Sequence, residues 1–357
     1  MNLNQWVETN PIVENWLTNV KPSSARQYGY RFKSFLEVCR MNPGEFLELA
    51  QSDKIKTKTM MNRFYNRLIK QDRSDNYAAF SENTIKSFLK FYEIQLKTPK
   101  RERARVHKRK ALRKDNIKKI VDAAPHLRDK ALIVMAFQTG MSISDLLALN
   151  YGDVKDAIEN DQNYHIIEYI RGKKRIESKA VIGKDSINYL TQYLTWRQEL
   201  GHNLNMDTPL FTGIKKHRLQ NRFSTRSAQD MIRKTVVKAG ITTFEDLGDF
   251  NLYGFHALRK AFSSVSKQNG VPFEQVEMSM GHKLPYNGAY DEWEDKELIL
   301  NFQEAEPNLS ISIDNRGLEE KTKETKDELL TLKNENDQLK ERLIKIEQLL
   351  EKLAPTL

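Results

Sequence analysis

Cysteine is almost missing from this chain: of 357 residues only Cys39 carries a thiol. That excludes an internal disulfide framework and suits a reducing compartment. Histidine is also sparse, with seven scattered residues, no zinc-ligand spacing and no HExxH, so no metal site is expected. Neither a GxxxxGK[ST] loop nor a GxGxxG turn occurs, so no cofactor is expected, and without a GxSxG elbow there is no hydrolase signature. The longest tempting apolar run, Ala131 to Phe137, is far too short to cross a bilayer. The opening MNLNQWVETN lacks the basic-then-apolar pattern of a signal peptide. These absences lead to the expectation of a cytoplasmic protein with no membrane partner.

What is abundant is positive charge. A net charge of +10 and a pI near 9.3 favour a polyanionic partner, nucleic acid first. The length suggests two domains. Residues 1–98 carry helical periodicity with very little glycine. In SSARQYGYRFKSFLEVCRM, Tyr28, Phe32, Phe35 and Val38 share one face while Arg26, Arg31 and Lys33 point elsewhere, and the serine pair supplies an N-cap. Further helices fit TKTMMNRFYNRLIKQ and SENTIKSFLKFYEIQL.

Residues 99–114 form a basic linker. Between Lys97 and Lys114 there are ten Lys/Arg residues and one glutamate, and the only sizeable apolar side chains are Val106 and Leu112. Such a segment suits a phosphate backbone, with Lys97, Lys100, Arg101, Arg103, Arg105, Lys108, Arg109 and Lys110 joining Arg26 and Arg31 as candidate DNA contacts. The second domain is read over 115–303: helices at DNIKKIVDAAP and DKALIVMAFQTG, a continuation through SISDLLALN, a strand pair YHIIEYI and ESKAVIG around RGKKR, then helices at DSINYLTQYLTWRQEL, STRSAQDMIRKTVVKAG and FHALRKAFSSVSKQNG. Gly240 and Gly270 fit C-terminal caps. Over 316–353, leucines recur in steps of four and three between dense Glu and Lys, a heptad seam with Asn336 setting register. The fold class is therefore mainly α with a small β-sheet, ending in a coiled coil through which the chain is expected to self-associate.

The candidate chemistry lies in GFHALRK and MGHKLPYNGAYDEW. His256 and Arg259 stand three apart and share a helical face, and a helix starting near Phe255 offers its N-terminal amides and dipole to a phosphate. His282 follows a glycine that ends the next helix, and Tyr290 comes shortly after, with Tyr286 as a competitor.

HALRK, then MGH, then a tyrosine resembles the tyrosine recombinases, the integrase and Xer-like enzymes. QTGMSISDLLALN is similar to the family's helix–turn, and YIRGKKRIESKAVI to the hairpin that carries its catalytic lysine, pointing to Lys173 with Lys174 second. The resemblance spans roughly residues 10 to 300. It implies an N-terminal helical core-binding domain that closes on DNA opposite an α+β catalytic domain. It further implies site-specific cutting and rejoining of double-stranded DNA through a covalent phosphotyrosine. Tyr290 would be the nucleophile, Arg259 and His256 would stabilise the phosphate, His282 would assist by hydrogen bonding, and Lys173 would act as general acid. Assembly on paired half-sites and a nucleoid-associated location follow from the same likeness, as do DNA integration and a mobile-element setting.

One position departs from the pattern. Where the family carries its first arginine, this chain has Ser142, which brings no charge and no bidentate grip on phosphate. Three readings follow: a working recombinase in which another cation, such as Arg171 or Arg175, fills the place; a catalytically impaired recombinase-fold DNA-binding protein that serves as regulator or accessory subunit; or a basic helical protein with a coiled coil and coincidental motifs.

Overall fold

The computed structural model describes residues 2–99, 101, 112–172, 175–247, 252–284 and 293–312. It divides into two compact units, one within Met1–Lys108 and the other within Arg109–Leu357. The coiled-coil segment 316–353, with Asn336, lies outside the described residues.

The first unit is all helix: α1 (Leu3–Glu8), α2 (Pro11–Thr18), α3 (Pro22–Cys39), α4 (Pro43–Ser52), α5 (Lys54–Lys70) and α6 (Asp75–Phe91). Prolines open α2, α3 and α4, where a missing amide costs nothing. Asn42 and Glu45 close a reciprocal capping box at the start of α4, Glu45 N donating to Asn42 Oδ1 at 2.9 Å and Asn42 N to Glu45 Oε2 at 2.8 Å. The serine pair does not cap α3. Pro22 starts the helix one residue earlier, which draws both serines into the first turn. Phe32 and Phe35 are fully buried, as their spacing predicts, and they meet Trp16, Phe46 and Phe88 in one aromatic core, with the Phe32 and Phe88 centroids 4.2 Å apart.

The second unit holds α7 (Lys114–Ala123), α8 (Leu127–Thr139), α9 (Ile143–Leu146), α10 (Lys155–Glu159), β1 (His165–Arg171), β2 (Ile176–Ile182), α11 (Lys184–Glu199), α12 (Thr225–Lys238), α13 (Phe244–Leu247), α14 (Phe255–Gln268), α15 (Phe273–Ser279) and α16 (Asp295–Leu309). It is mainly helical with one antiparallel strand pair, in register from His165 opposite Ile182 to Arg171 opposite Ile176. The central helix is α8, apolar on nearly every side and packed by α11 and α14. Packing continues past residue 303, because Ala305, Leu309 and Ile311 belong to the same core. The buried Asp185 carboxylate holds that end, accepting from Ser310 Oγ at 2.8 Å and from the Ile311 amide at 2.6 Å.

The helix expected through SISDLLALN is a single turn. Arg222 explains the stop: its Nη1 donates to the carbonyls of Leu147 at 2.6 Å and Leu149 at 2.8 Å, and its Nη2 to Asn150 Oδ1, so the chain leaves the helix through a turn and Asn150 bridges to Pro209.

Gly140 ends α8 at φ +62°, in the left-handed region, and a Cβ there would overlap the ring of Phe262 on α14. Gly140→Ala is therefore expected to cost about 2 to 3 kcal/mol, from the backbone penalty plus overpacking. Hydrogen exchange followed by mass spectrometry on the α8 and α14 peptides is the check. Amides that exchange as slowly as in the parent chain would contradict this account of the turn.

Candidate active site

The site is assembled around Arg259. Its position on α14 points the guanidinium inward, and the residue is only 7% exposed. Nη1 donates to the Gly140 carbonyl and Nη2 to the Met280 carbonyl, each at 2.7 Å, and Nη2 also meets His282 Nε2 at 2.7 Å. Among the described residues, these contacts engage three of the five guanidinium N–H groups. Burial, and then the positive charge of Arg171, pull the Arg259 guanidinium below its ordinary range. A charge held this way gains from any anion that arrives.

His282 is positioned from both ring nitrogens. An arginine can only donate, so His282 Nε2 accepts from Arg259 and Nδ1 carries the proton, donating to Glu277 Oε2 at 2.5 Å. Glu277 in turn accepts from Lys267 Nζ at 2.9 Å through its other oxygen. Burial opposes ionisation of Glu277, but the hydrogen bonds from Lys267 and His282 outweigh it and hold the carboxyl below its ordinary value of 4.5. Gly281, at φ +64°, makes the turn between α15 and His282; a Cβ there would sit 2.8 Å from Arg171 Cδ and 3.1 Å from the Tyr169 hydroxyl.

His256 occupies the first turn of α14, whose N-cap is Gly254 with no side-chain cap bond. It shares a cavity of about 770 Å³ with Arg259, as the three-residue spacing predicts, but is exposed where Arg259 is buried. Ser142, Arg171 and His282 line the same cavity. Ser142 caps the single-turn α9, and its hydroxyl donates to Asp145 Oδ2 at 2.7 Å. The other Asp145 oxygen accepts the Gly172 amide at 3.2 Å, tying α9 to the hairpin. Arg171 ends β1 and donates from Nη1 to the Gly281 carbonyl at 2.5 Å. Arg175 is exposed across the turn and is not part of the cavity lining. Lys173, Lys174, Tyr286 and Tyr290 lie outside the described residues. Tyr169 is close by but unsuited to attack: burial and Asp145 push its hydroxyl up, and it donates to the Ser279 carbonyl at 2.8 Å. Among the described residues, no group of three or more metal-ligating side chains comes together, and no helix is long and apolar enough to cross a membrane.

The sequence reading missed Glu277, Lys267 and Asp145. Each serves another side chain across the fold, and nothing local distinguishes them from ordinary surface charges. Of the proposed DNA contacts in the first unit, Lys97 and Arg26 are exposed. Arg31 instead lies over the rings of Tyr77 and Phe80, and Arg101 pairs with Glu82 at 2.9 Å, bonds Asn62 and covers Tyr65. Both of those guanidinium groups are used inside the unit. Lys100, Arg103, Arg105, Lys108, Arg109 and Lys110 lie outside the described residues.

Residues 110–285 match the phage integrase family. The chain is similar to tyrosine recombinase XerC of Thermodesulfovibrio yellowstonii, 26% identical over 280 residues that cover 74% of this chain and 87% of the relative. It is also similar to tyrosine recombinase XerA of Pyrococcus horikoshii, 24% identical over 217 residues, 59% of this chain and 68% of the relative. Its fold is shared with a lambda integrase tetramer bound to a Holliday junction, at a TM-score of 0.53 and 16% identity, covering 80% of this chain and 79% of the integrase.

The His282–Glu277–Lys267 chain has a pH signature. Glu277 is lowered below 4.5 in the folded state, so it contributes stability that is fully present above pH 4.5 and is lost as pH falls through the lower folded value. Glu277→Gln is expected to remove that acid-sensitive increment. Thermal midpoints recorded across the acid range should then converge for the two proteins below pH 4.5, and curves that stay parallel throughout would refute the assignment.

Proposed function

We propose that this chain, which belongs to the tyrosine recombinase family, is a site-specific DNA recombinase that cuts and rejoins double-stranded DNA. The observation that carries the reading is the Arg259 guanidinium, buried, anchored on two carbonyls and His282, and opening with His256 onto one cavity. A scissile phosphate seated there meets fixed positive charge and the N-terminal amides of α14, which is the electrostatic stabilisation phosphoryl transfer needs. Tyr290 attacks phosphorus as its hydroxyl proton is released to solvent, an O–P bond to the tyrosine forms, and the bond to the sugar oxygen breaks. Lys173 delivers a proton to that leaving oxygen, and reversal with a second strand end restores the phosphodiester. The bond energy is conserved, so no cofactor is called for.

The exposed cations Lys97 and Arg26, with the basic run of 99–114, neutralise phosphates without reading sequence, and binding should weaken steeply with salt. The wider roles follow the family pattern: a core-binding domain over 1–98, a catalytic domain over 115–303 whose core continues to Ile311, assembly on paired half-sites, and action at the nucleoid. The heptad segment 316–353 tethers copies by raising their effective concentration, with Asn336 fixing register. A chain cut back to residue 315 should lose mass as an assembly in solution, and an unchanged mass would count against the tether.

Covalent trapping tests the chemistry. A randomised pool of duplexes bearing bridging phosphorothiolates should yield a protein–DNA adduct on a denaturing gel. The adduct should vanish in Tyr290→Phe, persist in Tyr286→Phe, and form about three to five orders of magnitude more slowly in Arg259→Ala. Silence from the native chain with an adduct from Ser142→Arg would mean a DNA-binding protein whose cutting was switched off.

A further inference from the structure

The cavity has a vacancy in its charge pattern at Ser142, whose hydroxyl is committed to Asp145. We infer that Arg171 is a further catalytic residue, supplying to the scissile phosphate the cation that Ser142 does not. The inference rests on the recombinase reading above and deepens it.

Three observations place Arg171 there. First, it lines the same cavity as Ser142, Arg259 and His282. Second, it is tied to the Ser142 turn through one carboxylate: Gly172, the next residue, donates its amide to Asp145 Oδ1 at 3.2 Å, and Ser142 donates to Asp145 Oδ2 at 2.7 Å. The hairpin end and the α9 cap are therefore held side by side. Third, its guanidinium is fixed next to that of Arg259. Arg171 donates to the carbonyl of Gly281 and Arg259 to the carbonyl of Met280, the residue before it. Gly281 exists as glycine where a Cβ would strike the Arg171 side chain, 2.8 Å from Cδ and 3.2 Å from Cβ.

Each guanidinium leans on a backbone carbonyl, and the carboxylates that act on Arg259, Asp145 and Glu277, are already taken by other donors: Ser142 and Gly172 for the first, Lys267 and His282 for the second. Bringing two guanidinium groups together in a partly buried cavity is unfavourable unless an anion joins them, and a phosphate with two non-bridging oxygens fits that requirement. Arg175 does not compete, being exposed and outside the cavity lining. A purely structural role, in which Arg171 merely ties the hairpin to the His282 turn, makes a different prediction, because a neutral donor can keep the bond to Gly281.

The experiment uses that difference. Arg171→Gln retains a side-chain donor and removes the charge, while Arg171→Lys keeps charge without the fork. Both are made in the full chain, alone and with Ser142→Arg, and adduct formation is timed on the phosphorothiolate pool alongside thermal midpoints. The expected result is a loss of at least about a hundredfold in Arg171→Gln at an unchanged midpoint, a smaller loss in Arg171→Lys, and recovery of at least about tenfold when Ser142→Arg is added. Rescue by an arginine at position 142 is something a structural tie cannot give. Arg171→Gln within about threefold of the native rate, or a loss that Ser142→Arg leaves untouched, overturns the inference while the recombinase reading stands. A native chain that forms no adduct overturns both.

Discussion

The candidate site of the second unit depends on where one guanidinium is held. Arg259 is buried, and a buried charge needs partners that hold it in place. The partners that satisfy it come from three separate pieces of chain: the carbonyl of Gly140 at the end of α8, the carbonyl of Met280 after α15, and the ring of His282. The arginine is therefore the pin that brings the α8 turn, the α14 face and the α15 turn to one point. Both turns are made by glycines at positive φ, Gly140 against the ring of Phe262 and Gly281 against the side chain of Arg171. Tight turns, a satisfied buried charge and an open cavity are one arrangement seen from three sides.

The supporting shell follows the same logic. His282 can accept from Arg259 only if its other nitrogen carries the proton, and Glu277 enforces that tautomer. Lys267 then keeps Glu277 ionised. The order of dependence runs from Lys267 on α14 through Glu277 on α15 to His282 and back to Arg259 on α14, so the two helices are locked by a polar circuit. Such a circuit holds donors near fixed positions before substrate arrives, which is the form of preorganisation that lowers a phosphoryl-transfer barrier.

How much of this was legible in the sequence depends on the range of the interaction. The aromatic face of α3 and the strand pair around Gly172 were readable because periodicity is local, and His256 with Arg259 because three residues bring them onto one helix face. The position of His282 after a helix-ending glycine was readable for the same reason. Glu277 and Asp145 were not, since their meaning comes from partners on other elements. Asp145 looked like one acidic residue in a helix, yet each of its oxygens serves a different segment. The early end of α9 was hidden likewise, because Arg222, dozens of residues on, takes the carbonyls that a longer helix would have used. In the first unit, Arg31 and Arg101 looked like surface cations by spacing, and only packing reveals rings and a carboxylate beneath them.

Ser142 shows why a motif position and a physical requirement are different things. Phosphoryl transfer asks for positive charge at a place in space, not for an arginine at a place in the chain. The α9 turn that carries Ser142 and the hairpin end that carries Arg171 are joined through Asp145 and line one cavity, which is why the proposed cation is placed on the second. The exchange also alters how the charge is held. An arginine at position 142 would stand at the N-cap of a one-turn helix and remove its cap, whereas Arg171 sits on a paired strand and leans on the Gly281 backbone. A strand in register with its partner fixes the Cα more firmly than a single helical turn does, which favours a preorganised cation. The Ser142 hydroxyl is then free for a different task, capping α9 and steadying the carboxylate that keeps the hairpin in place.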